Sequence, residues 1–267
     1  MSDFSRALID RSGYEREGFA GEYDRFRPRP PRALLDLLCR YARTERPQLV
    51  VDLGCGTGLS TRAWSGTADR VVGIEPNPAM LAETEQAPGV EYREAFSLDT
   101  GVASGSADIV TASQSLHWME PDPTFAEVAR ILRTGGVFAA YDYQWRPVVD
   151  PELDQAFLAY HDRRTEMRAR HGIQVGADRW AKDKHLDRMQ ASGRFRFCRE
   201  VLLHSLEDGN AERVGGLARS LGVPVATDDA DVARELRIDE LEAIAHRILG
   251  DRTAPFLFSY RVRVGVR

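Results

Sequence analysis

Ten residues, Leu49-Val50-Val51-Asp52-Leu53-Gly54-Cys55-Gly56-Thr57-Gly58, constrain the fold more than any other part of the chain. Apolar residues suited to a buried strand run into an aspartate and then into glycines at every second position. Such a run reads as a parallel strand ending in a tight, glycine-rich turn before a helix. Glycine there allows positive φ and lets a ligand approach the backbone closely. The helix that follows starts near Leu59-Ser60-Thr61 and presents free N–H groups to a carboxylate or phosphate. A second apolar strand, Val71-Val72-Gly73-Ile74-Glu75, ends in an acid that can accept both hydroxyl hydrogens of a ribose. Loop and acid together point to a nucleoside-bearing ligand.

The rest of the chain repeats the strand–helix alternation. Leu34, Leu35, Leu37, Leu38 and Tyr41 give an apolar face to a helix over 32–41, after the proline-broken stretch Arg25-Phe26-Arg27-Pro28-Arg29-Pro30-Pro31. Strands are expected at 48–53, 71–75, 90–93, 107–112 and 137–141. Helices are expected at 59–66, at 78–86 behind Asn77-Pro78, and at 124–132. After Tyr143 the pattern changes. Residues 150–191 read as helical and charge-dense, 195–206 as a strand, 212–221 and 231–249 as helices, and 256–264 as a closing strand. The alternation predicts an α/β fold with a doubly wound, mostly parallel sheet.

Composition narrows the class. Of 267 residues, 43% are apolar and 29% charged, an ordinary balance for a soluble globular enzyme. No apolar run approaches the ~20 residues of a membrane span, and Met1 to Arg6 contain no signal-peptide core, so a cytoplasmic protein without membrane partners is expected. Cys39, Cys55 and Cys198 are isolated and lack metal-ligand spacing, which argues against both zinc and a disulfide framework. A net charge of −5 weighs against a nucleic-acid partner. The oligomeric state is unreadable.

The glycine spacing selects among nucleoside ligands. The dinucleotide fingerprint G-x-G-x-x-G wants Gly or Ala where Leu59 stands, and here the third glycine arrives one residue early, at Gly58. The run D-x-G-x-G-x-G with Glu75 downstream resembles motif I and the ribose acid of class I S-adenosylmethionine-dependent methyltransferases. Further segments carry the resemblance: Tyr23-Asp24-Arg25-Phe26-Arg27-Pro28, Gly73 to Met80, Ser106 to Trp118, and Leu132-Arg133-Thr134-Gly135-Gly136. The chain is similar in style to the type-11 group, near its trans-aconitate methyltransferase-like branch. Gly216-Leu217-Ala218-Arg219-Ser220 resembles a helix of that branch that faces the substrate.

The resemblance implies a seven-stranded Rossmann-like methyltransferase fold ending in an antiparallel hairpin. It implies one methyltransferase domain over 1–267: a helical lid (1–46), a cofactor-binding core (47–143), a helical substrate cap (144–194) and the C-terminal part of the sheet with its helices (195–267). The cofactor is then S-adenosylmethionine. Asp52, Gly54, Cys55 and Gly56 are then cofactor contacts, with the amino acid tail against the glycines, Tyr23 and Arg27 closing from the lid, and Arg27 pairing with the tail carboxylate. Glu75 takes the ribose, and Pro76, Asn77 and Met80 wall the adenine. The family places an acid after the third strand for the adenine amino group. Here Phe96 or Ser97 falls at that position, so Ser97, a backbone carbonyl or stacking on Phe96 takes over.

Ser113 and Gln114 should meet the cofactor's amino group at the end of the fourth strand, where open α/β sheets bind ligands. His117 is the candidate general base, its ordinary pKa of ~6.5 suiting proton removal at neutral pH, or else a residue that orients the loop. Trp118, Tyr141, Tyr160 and Arg219 are candidate substrate contacts. Asp142, Trp145 and the cap histidines His161, His171 and His185 are further residues to place, the histidines as surface groups first. No metal is expected, because a sulfonium is already a strong leaving group. The expected reaction is in-line methyl transfer to a small-molecule acceptor, on a hydroxyl or carboxylate oxygen, with nitrogen and carbon acceptors as alternatives. An NAD-dependent oxidoreductase and a non-catalytic cofactor-binding scaffold are the rival classes.

Overall fold

A computed structural model of the protein describes residues 24–144, 146–170, 180–221 and 234–267. Helix α1 (Arg32–Ala42) precedes β1 (Leu49–Leu53), α2 (Leu59–Arg62), β2 (Arg70–Glu75), α3 (Pro78–Ala82), β3 (Val90–Glu94) and β4 (Ala107–Ser113). A 3-10 turn (Leu116–Trp118), α4 (Pro121–Ile131) and β5 (Leu132–Tyr143) follow. The chain then runs through α5 (Pro151–Arg170), α6 (His185–Ala191), β6 (Phe197–Gly209), α7 (Ala211–Arg219), α8 (Ile238–Leu249) and β7 (Ala254–Val266).

The seven strands form one sheet in the order β3-β2-β1-β4-β5-β7-β6. The first five are parallel, and β7 runs antiparallel between β5 and β6. Chain direction across the sheet reverses between β1 and β4, so the crevice beyond their C-terminal ends is the ligand position for this topology. β1 is buried at every residue, as a central strand covered on both faces must be. Its side chains alternate: Val50 enters a core with α1, α5, α7 and α8, while Val51 and Leu53 enter a second core with Phe125, Val128 and Met189 from α4 and α6. β3 is the half-exposed edge, as its alternation predicts.

Several boundaries differ from the sequence expectation. The helix after the glycine loop ends at Arg62 and continues as turns that bury Trp64. α4 begins at Pro121 because proline is well tolerated at a first helical position. β5 starts at Leu132, since Leu132 already pairs with Ala107 ahead of an irregularity in register. The described residues of the charge-dense stretch hold two α-helices, and α5 packs Leu153, Phe157, Tyr160 and Met167 into the same core as α7 and α8. No helix among the described residues is long and apolar enough to cross a membrane.

Candidate functional site

The glycine loop is held from behind by Asp52. This fully buried carboxylate accepts hydrogen bonds from Ser60 Oγ (2.6 Å) and Thr61 Oγ1 (2.8 Å) at the start of α2, and from Thr111 Oγ1 of β4 (2.7 Å). Burial pushes its pKa up and the three hydroxyls pull it back. Asp52 therefore ties β1, β4 and α2 together rather than touching a ligand, and it is not among the residues lining the pocket. Gly54, Gly56 and Gly58 all have positive φ, at 65°, 57° and 86°. A Cβ on Gly54 would sit 2.7 Å from Ser115 Cβ and 2.8 Å from Met119 Cε, so the loop is also packed too closely for a side chain.

Two amides of this loop are engaged by the neighbouring strand end. Gly54 N–H donates to Ile74 O (2.7 Å), and Gly56 N–H donates to Glu75 Oε2 (2.9 Å). Both glycines line the pocket. Glu75 Oε1 accepts from Asn77 N–H (3.0 Å), and Asn77 Oδ1 caps α3 by accepting from Ala79 N–H (2.9 Å). Each Glu75 oxygen so keeps a lone pair for a further donor. Burial raises the Glu75 pKa, while the Asn77 and Gly56 amides lower it.

One pocket opens at the switch point. Its wall holds Gly54, Cys55, Gly56, Glu75, Pro76, Asn77, Met80, Phe96, Ser97, Ser113, Gln114 and Trp118, twelve of the residues expected from the sequence. Pro28 and Pro30 of the lid, with Leu59, Ser60, Leu98, Ser115, Met119, Glu120 and Tyr143, complete it and were not among the expected contacts. Tyr143 lies two residues beyond the expected Tyr141 on the same face of β5, one step nearer the strand end. Tyr141 itself is buried in the core below, and burial raises its phenol pKa. Glu120 carried a weak signal, an acid directly before the Pro121 that opens α4.

Gln114 has φ +52°, a strained conformation for a residue with a side chain. Three bonds hold it: its N–H to Tyr141 O (2.9 Å), its Nε2 to Tyr143 O (2.8 Å), and Lys182 Nζ to its Oε1 (2.5 Å). Lys182 also pairs with Asp142 (2.7 Å), whose other oxygen meets the buried Arg263 guanidinium. Trp180 N–H donates to His117 O (2.9 Å). The segment 180–182 is thus pinned at two points, to Gln114 in the pocket wall and to His117 beside it.

Other expected contacts do not reach the pocket. Arg27 donates to Ser220 Oγ (2.8 Å), Ser220 O (2.6 Å) and Tyr143 Oη (2.7 Å), because the end of α7 offers helix carbonyls that lack intrahelical donors. Tyr160 donates to Ala218 O (2.8 Å), and Arg219 pairs with Glu242 of α8. These residues fasten helices to one another. His117 is buried at 6% exposure inside the 3-10 turn and does not line the wall, whereas its neighbour Trp118 does, with ring centroids 5.4 Å apart. His185, expected on the surface, is 1% exposed on α6, and burial pushes its pKa down to about 4. His161 is half-buried. Tyr23, Trp145 and His171 lie outside the described residues. Among the described residues, no group of three or more His, Cys, Asp or Glu could hold a metal ion.

The lid segment is docked on three sides. Asp24 bonds Thr57 of the glycine loop and Arg62 of α2. Phe26 packs on Gly216, and Tyr260 Oη donates to Arg29 O (2.9 Å).

The donor set suits S-adenosylmethionine: a strand-end carboxylate for ribose hydroxyls, and Pro76, Met80, Phe96 and Leu98 as apolar plates for a purine. Comparison with known proteins agrees. Residues 51–140 match the methyltransferase domain family Methyltransf_11. A Saccharomyces cerevisiae protein named as an S-adenosylmethionine-dependent methyltransferase, CRG1, is 29% identical over 57% of this chain and 55% of its own length. Trans-aconitate 2-methyltransferase of Acidovorax sp. (strain JS42) is 33% identical over 44% of this chain and 46% of its own. The chain thus matches about half the length of these curated relatives. A solved structure from Anaeromyxobacter dehalogenans, described as a type II methyltransferase, superposes over 90% of this chain and 98% of that one, with a TM-score of 0.63 and 26% identity. With this fold and this pocket, residues 51–140 carry a methyltransferase domain similar to the Methyltransf_11 family, and the chain shares its architecture with solved methyltransferases.

Proposed function

We propose that the protein transfers the methyl group of S-adenosylmethionine to an oxygen of a small-molecule acceptor, with a carboxylate as the favoured oxygen. The observation that carries the reading is Glu75: its carboxylate is oriented by the Gly56 and Asn77 amides in the wall of a pocket that also holds Pro76, Met80, Phe96 and Leu98. That is the arrangement a nucleoside needs, a paired acceptor for two hydroxyls beside a slot for the base. When bound, the cofactor supplies a methyl carbon on a positively charged sulfur, and displacement there forms the oxygen–carbon bond as the carbon–sulfur bond breaks.

The chain's own part is to align and to exclude water. Pro28, Pro30, Trp118 and Tyr143 line the pocket, and Gln114 is fixed by three bonds. A carboxylate acceptor is already ionised at neutral pH and needs no base. This fits a wall on which, among the described residues, no imidazole appears. His117 then acts as a positioning residue for Trp118. The relative named for trans-aconitate acts on an organic acid, which favours the same class here. We read 1–46 as the lid, 47–143 as the cofactor core, 144–194 as the acceptor cap and 195–267 as the remainder of the sheet.

Calorimetric titration with S-adenosylhomocysteine, with NADH in parallel, tests the first half of the reading. Micromolar binding of the former alone is expected, equivalent to ~8 kcal/mol. Binding of NADH instead would move the protein to the oxidoreductases. Transfer of labelled methyl groups to a panel of organic acids, alcohols and amines tests the second half. Labelling confined to amines or carbon acceptors would overturn the oxygen assignment, and binding without any transfer would leave a scaffold.

A further inference from the structure

The family's acid for the adenine amino group has no counterpart after β3, where Phe96 and Ser97 stand. The pocket nevertheless contains two acids, Glu75 and Glu120. Glu75 is committed to the loop and the ribose. Glu120 arrives from a different element, the residue that precedes α4, and three observations bring it to the wall that carries Phe96 and Ser97.

First, the loop after β3 is stitched to α4 one turn in from Glu120. Ser97 Oγ lies 2.9 Å from Thr124 Oγ1, and Thr124 N–H donates to Glu120 O (3.2 Å). Second, farther along that loop, Thr100 donates to Glu127 Oε1 from both its amide (2.9 Å) and its hydroxyl (2.6 Å), so the two segments are held as one wall. Third, Glu120 occupies the N-cap position of α4 without using its side chain to cap the helix. Its carboxylate is therefore not engaged with the helix N-terminus, and the residue lines the same pocket as Phe96, Ser97 and Leu98.

Resting on the cofactor assignment above, we infer that Glu120 is the acceptor for the exocyclic amino group of adenine, a base-selecting residue supplied from the α4 side of the pocket. A carboxylate at that edge rewards a 6-amino purine, which donates, over a base with nothing to donate there. Removing the partner of a charged acceptor in a desolvated site costs well beyond a neutral contact.

The test is calorimetric and needs no methyl acceptor. The protein is titrated with S-adenosylhomocysteine and with the analogue carrying hydrogen in place of the amino group. Wild type should prefer the amino compound by about tenfold or more. Glu120→Gln, which keeps an acceptor without charge, should show an intermediate preference. In Glu120→Ala the preference should fall to near one, mainly through weaker binding of the amino compound. A merely structural residue would weaken both ligands equally. Undiminished preference in Glu120→Ala, with thermal melting unchanged, overturns the assignment, as does a wild type that fails to discriminate. Wild type that binds neither compound would instead refute the cofactor reading itself. Because the side chain does not cap α4, both variants are expected to fold.

Discussion

The ring of Phe26 rests directly on the backbone of Gly216, so that a Cβ added at Gly216 would overlap three of its ring carbons. This contact seats the lid on α7, next to the Arg27–Ser220 bonds and the Arg213 guanidinium, whose Nε donates to Phe26 O (3.2 Å). Two effects oppose in Gly216→Ala. The helix gains roughly 1 kcal/mol of propensity, whereas overpacking against a ring costs about 1–3 kcal/mol. Net destabilisation of about 1 kcal/mol is expected in urea unfolding, with weaker S-adenosylhomocysteine binding because Pro28 and Pro30 move with the ring. A variant more stable than wild type would show that the lid is not seated on this residue.

Glu75 gives a prediction with a definite sign. Its folded pKa lies above the ordinary 4.5, so the native state holds the proton more tightly than the unfolded chain. The associated stability is complete below the ordinary value and is lost as pH rises through the raised one. Glu75→Gln does not titrate. Its stability relative to wild type should therefore climb as pH increases from about 4 toward neutrality, even though its affinity for S-adenosylhomocysteine drops by at least about tenfold. Paired denaturation series across that window check the first expectation, and calorimetry the second. A flat stability difference would mean that Glu75 is not desolvated.

Much of this site was legible because it is local. Strand, glycine turn and acid are read within single segments, and Gly54, Gly56, Glu75, Pro76, Asn77 and Met80 all line one pocket as their spacing requires. What escaped depends on direction. Arg27, Tyr160 and Arg219 are residue types that bind anions or polar substrates, yet each is spent on a neighbouring helix: Ser220, Ala218 and Glu242 are partners that only tertiary packing defines. Tyr141 and Tyr143 share a face, so choosing between them needed the depth of the strand end. Glu120 escaped because it stands outside the segment after β3 and reaches the pocket from the start of α4, a placement that only tertiary packing defines.

Lys182 joins the pocket wall to the segment that follows α5. Its ammonium lies between Gln114 Oε1 and Asp142 Oδ1, and it holds a residue whose positive φ costs about 1–3 kcal/mol to maintain. In Lys182→Met that strain loses one of its three restraints. Affinity for S-adenosylhomocysteine should fall, though by less than about tenfold, since the lysine is 40% exposed and such pairs are individually weak. Lys182→Arg should recover most of the loss. Lys184→Ala, whose partner is the exposed Asp187, should change nothing. Equal affinities in all three variants would show that Gln114 holds its place without the cap.

The buried position of His117 separates two chemistries. A hydroxyl acceptor needs a proton removed, and an imidazole doing so would impose a rise in kcat through its pKa, near 6.5 if unperturbed. A carboxylate acceptor imposes none. With the ring buried behind Trp118, kcat on the best organic acid should be flat between about pH 6 and pH 8. His117→Asn should lower kcat uniformly across that range, by loosening Trp118, without creating or removing an inflection. Trp118→Leu should reproduce the same uniform loss. A wild-type inflection near neutrality that vanishes in His117→Asn would restore the histidine as general base and point to a hydroxyl acceptor.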